Sequence, residues 1–76
     1  MITLEKTKEI NSVDIKGYKV IIEEIESEYS TKYAVTLKYP KGHVFIEDLE
    51  TFTTLGDAYK KAFNLVTLVV NWKVKL

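Results

Sequence analysis

Seventy-six residues bound the chain to one domain, near the lower size at which a single core stabilises a fold. Eleven lysines balance eleven acids, and 46% of residues are hydrophobic, which excludes a disordered chain and a basic nucleic-acid footprint at the level of composition. The absence of cysteine and arginine excludes disulfides, thiolate metal centres and the guanidinium fork suited to phosphates and guanine edges.

The first fifteen residues, MITLEKTKEINSVDI, mix charge with scattered apolar residues and lack the apolar run of a signal peptide, so a cytoplasmic location is expected. GYKVIIEEIE, Gly17 to Glu26, is rich in β-branched and aromatic residues and reads as a strand. Val13 and Ile15 would extend that strand backwards across a bulge at Gly17. In STKYAVTLKY the apolar Tyr33, Val35, Leu37 and Tyr39 alternate with Lys32, Ala34, Thr36 and Lys38. This period of two gives one face to a core and one to water. Pro40 presets the next turn and Gly42 accepts a positive φ, so the chain reverses into a short return strand, His43 to Glu47. The acids Glu47, Asp48 and Glu50 then lead into a loop.

Thr54 begins the last element as an N-cap, with Asp57 three residues on. From Leu55 onward, Ala58, Tyr59, Ala62, Phe63, Val66, Val69 and Val70 recur at helical spacing. Lys60, Asn64, Thr67 and Asn71 step by four, three and four, which places them on one line down a helix. A strand would scatter them over both faces, so a continuous helix over 54–72 is expected, with a short helix ending at Asn64 and a strand over 64–70 as the alternative. AFNLVTLVVNW, Ala62 to Trp72, is too short and too polar to span a bilayer.

The architecture expected is α+β: a three-stranded antiparallel meander over 13–50 with a C-terminal helix on one face. The N-terminal segment, 1–12, is expected either to add a strand or to help cover the helix. Leu65, Leu68 and Trp72 fall beside the main helical stripe and would be left wet by the sheet alone. Either Ile2, Leu4, Ile10 and Val13 fold over that flank, or a partner does: a second copy of the chain or another protein.

Residues that carry chemistry are sparse. His43 is the lone histidine, follows a turn glycine and reads as an exposed strand-start residue, since a metal site needs several ligands. Ser12, Ser27 and Ser30 lack the context of an activated nucleophile. Glu23, Glu24, Glu26 and Glu28, with Glu47, Asp48 and Glu50, match no calcium loop and read as solvated or edge-protecting charge. They would otherwise dock a basic partner. Lys32 and Lys38 point outward on the middle strand, with Lys19 beside them, as a candidate nucleic-acid face.

TFTTLGDAYKKAF, where strands hand over to a helix, is similar in outline to the helix entry of double-stranded-RNA-binding domains, of the arm-type DNA-binding domains of phage integrases, and of HicB-like antitoxins. The likeness covers element order from Gly17 to Phe63. The likeness to the RNA binders implies phosphate contacts at Lys60 and Lys61, with Asp57 just before them; the likeness to the integrase domains implies a basic sheet face, here diluted by acids. The function expected from the sequence is a small non-enzymatic protein-interaction module, without cofactor or metal, that self-associates through its C-terminal helix. The alternatives are a nucleic-acid-binding module, or an accessory or inhibitor protein of a phage or mobile element that docks through its acids.

Overall fold

A computed structural model describes residues 6–42 and 47–71. Four strands, β1 (Lys6–Ile15), β2 (Tyr18–Glu26), β3 (Thr31–Lys38) and β4 (Glu47–Phe52), precede one helix, α1 (Leu55–Asn71). The strands form a single antiparallel sheet in chain order, β1-β2-β3-β4, with the helix packed on one face. The expected α+β class holds, with one strand more than the three-stranded meander.

That strand is β1, which takes in most of the N-terminal segment. Gly17 is not a bulge within one strand. With Lys16 it forms a two-residue reversal between two strands, both residues at positive φ (52° and 85°), as a hairpin with matching twist demands. A Cβ on Gly17 would lie 3.2 Å from that of Pro40, so the neighbouring turn also selects glycine there. The irregularity in the β1–β2 ladder falls instead between Glu9 and Asn11.

Gly42 takes the positive φ expected of it, 93°. Of the expected return strand, residues 43–46, including His43, lie outside the described residues. Glu47, Asp48 and Glu50 belong to β4 rather than to a loop, and the pairing of Leu49 with Thr36 and of Phe52 with Tyr33 carries that strand to the helix entry.

The core follows from the period of two. Val20 pairs with Leu37 and Ile22 with Val35, all buried on the helix face, joined by Tyr18 on β2. Each such side chain removed from water stabilises the fold by about 1.5–3 kcal/mol. Tyr33 and Tyr39 close the two ends of the row, and the rings of Tyr18 and Tyr39 meet edge to face at 5.6 Å between centroids.

Thr54 caps the helix as expected: its Oγ1 accepts from the Asp57 N–H at 3.2 Å and its carbonyl accepts from the Ala58 N–H at 3.2 Å. The helix runs through Asn64 unbroken, about 25 Å in length. It carries no cation in its own last turn; Lys16, from the β1–β2 turn, donates to the Val70 carbonyl at 2.8 Å and supplies the missing charge.

Candidate interaction surface

The helix sits mainly over β2 and β3. Its buried line is Ala58, Ala62 and Val69, with Leu55, Leu65 and Val66 half-buried around it. Small side chains at 58 and 62 bring the helix close to the sheet, so they define the centre of the contact. This is a rotation from the expected stripe. Leu65, expected on a wet flank, packs on the core. Tyr59, Phe63 and Val70, expected inside, are exposed.

The consequence is an asymmetry between the helix flanks. Toward β4, Leu65 and Lys61 stand beside Val35 and Leu49, and Lys61 pairs with Glu50 at 3.5 Å. Leu68 is exposed on that side of the helix, and Trp72 lies outside the described residues. Of the expected flank, then, Leu65 packs on the core and Leu68 is exposed.

Toward β1, Tyr59, Phe63, Val66 and Val70 step by four, three and four along one line. Three of the four are exposed, Phe63 to 71%. Beneath Tyr59, Phe63 and Val66 an open groove of about 190 Å³ runs between the helix and the β1 side of the sheet, floored by Val13, Val20 and Ile22. Its lining is predominantly apolar, and Val13 on the edge strand is itself exposed. Sequence reasoning missed this line because it assigned all four residues to the core; their 4-3-4 spacing was the available signal. The expected polar line, Lys60, Asn64, Thr67 and Asn71, is exposed one position further round, on top of the helix. Thr67 satisfies its hydroxyl by donating to the Phe63 carbonyl at 2.9 Å.

The other sheet face carries no second layer among the described residues. Lys19, Lys32 and Lys38 all lie on it, and Lys19 is directly opposite Lys38. Asp14 neighbours Lys19 and Glu47 neighbours Lys38, so the row reads acid, lysine, lysine, acid across the sheet. The acids form no continuous surface. Glu23 and Glu24 are consecutive in a strand and point to opposite faces. Lys8 and Lys6 sit across from Glu24 and Glu26, and Glu28 lies in the β2–β3 turn.

On β4, Glu50 pairs with Lys61, and Asp48 accepts a hydrogen bond from the Tyr39 hydroxyl. That bond, helped by partial desolvation and the Asp48 charge, pushes the Tyr39 phenol up to about 12. Among the described residues no cluster of three or more histidine, cysteine or acidic side chains is placed to hold a metal ion, and no helix is long and apolar enough to cross a membrane.

No protein-family model, curated protein or solved structure matches this chain. The surface is read from its own chemistry.

Proposed function

We propose that this chain is a small, non-enzymatic protein-interaction module that self-associates through the β1-side flank of its C-terminal helix. The observation that carries the reading is the line Tyr59, Phe63, Val66 and Val70, its first three residues over an apolar groove, with Phe63 mostly in water. An exposed aromatic in a contiguous apolar patch is the anchor that interfaces use, and leaving it wet forgoes about 1.5–3 kcal/mol. The ionisable side chains are spread over two sheet faces rather than gathered in one cleft, which supports a binding role over a catalytic one.

A photo-crosslinking residue tests the surface without assuming the partner. Phe63→benzoylphenylalanine is expected to give a specific adduct, while the same residue at Asn64, on the polar line, gives none. Equal and negligible adducts at both positions would sink the reading.

A second reading has one observation behind it: Lys19, Lys32 and Lys38 share the sheet face opposite the helix. Nucleic-acid binding there requires salt-sensitive affinity for duplex or single strands. No binding at low salt ends it. Docking through the acids, as a phage or mobile-element accessory protein, finds less support, since those acids are divided between faces.

A further inference from the structure

We infer that two copies join by strand addition, β1 beside β1 of the second copy, with the two helices' apolar lines meeting above the new seam. This rests on the self-association reading and specifies its geometry. Three features of the molecule converge on it.

The first is the direction of approach. The top of the helix is polar along Lys60, Asn64, Thr67 and Asn71, so a partner does not stack onto it. The apolar line points sideways, over β1, and the partner enters in the plane of the sheet. What it meets there is the edge of the sheet, because among the described residues β1 pairs with β2 alone. Backbone groups along that edge can be satisfied by another strand.

The second is which part of the edge is open. The Lys6–Glu9 end is guarded by two lysines and by the irregularity between Glu9 and Asn11. From Asn11 to Ile15 the register with β2 is regular, no lysine occurs, and Asn11, Ser12 and Val13 border the groove. An antiparallel pair about a two-fold axis at Val13 sets Val13 against Val13 beneath both apolar lines. It also places Ser12 across from Asp14, a hydroxyl donor facing a carboxylate. The formal net charge of zero removes any long-range self-repulsion.

The third is area. Tyr59, Phe63, Val70 and Val13 are 40, 71, 50 and 42% exposed, leaving on the order of 400 Å² of apolar side chain. A stable interface buries about 800 Å² per partner, a little over half of it apolar. The patch matches that apolar share. With strands about 4.8 Å apart, helices over β2 and β3 would lie about 19 Å from one another across the seam. That is roughly 10 Å beyond direct helix packing, a gap for Tyr59 and Phe63 to fill from both sides.

A single introduced cysteine reports on the pairing, because the chain has none of its own. Val13→Cys is expected to form a disulfide-linked dimer in mild oxidant at least tenfold faster than Thr51→Cys on β4, and Phe63→Glu added to Val13→Cys should abolish that advantage. Equal rates at the two positions would overturn strand addition at β1. If Phe63→benzoylphenylalanine still links two copies in that case, the self-association reading stands by a different geometry; if it captures another protein instead, the surface is an interface but not a homotypic one. Far-UV circular dichroism confirms folding of each variant, all three positions being solvent-exposed.

Discussion

The two flanks of the helix carry similar apolar content and meet different fates. On the β4 side, Leu65 packs on the core, and the groove of about 240 Å³ beside it is lined by Asp48 and the ion pair Lys61–Glu50 as well as by Val35. On the β1 side, Tyr59 and Phe63 border an apolar groove, and Val70 further along the same line is exposed. The difference teaches that burial is decided by where a helix is centred as well as by its apolar arc. Ala58 and Ala62 set that centre, and Tyr59, Phe63 and Val70, about a quarter-turn or more away on the β1 side, are left exposed.

Substitutions sharpen that contrast. The largest effect is expected at the centre: Ala58→Leu should lift the helix from the sheet and cost about 1–3 kcal/mol in urea denaturation. On the packed flank, Leu65→Ala should cost on the order of 1–2 kcal/mol, less than for a fully buried leucine because Leu65 is half-buried. On the open flank, Phe63→Ala should change the stability of the dilute chain by no more than about 0.5 kcal/mol. A loss at Phe63 equal to that at Leu65 would erase the distinction between the flanks.

The smallest effect concerns pH. The phenol of Tyr39 is raised to about 12 by its bond to Asp48, so its neutral form is favoured in the folded state. That contribution is fully present below the ordinary tyrosine value near 10 and is lost as pH rises through about 12. Tyr39→Phe should therefore be relatively more destabilising at pH 8 than at pH 11.5, read as the difference in thermal midpoint from the parent chain. A difference that does not change with pH would contradict the assigned bond.

Much of the frame was legible in sequence because it rests on periodicity. The alternation from Tyr33 to Tyr39 marked β3 and its buried side, and the spacing of Lys60, Asn64, Thr67 and Asn71 marked a continuous helix and its wet line. What was not legible depended on partners distant in the chain. KTKEINSVDI has too few apolar residues to declare itself a strand, and becomes one because β2 presents a free edge to it across the Lys16–Gly17 turn. EDLETF is equally polar, and its pairing with β3 makes it β4. The direction in which the helix leans follows from the fit of two alanines against the sheet, which a helical projection of the sequence cannot order. Hence Leu65, expected on a wet flank, packs on the core, while Tyr59, Phe63 and Val70, expected inside, are exposed on the opposite flank.

The most direct measurement is the molar mass in solution by light scattering, over roughly a hundredfold range of concentration, for the parent chain and Phe63→Glu. The parent is expected to rise from 8.8 kDa toward twice that mass, while the variant stays at 8.8 kDa throughout. A parent chain that holds 8.8 kDa across the range, or a variant that dimerises equally well, would contradict self-association through this flank.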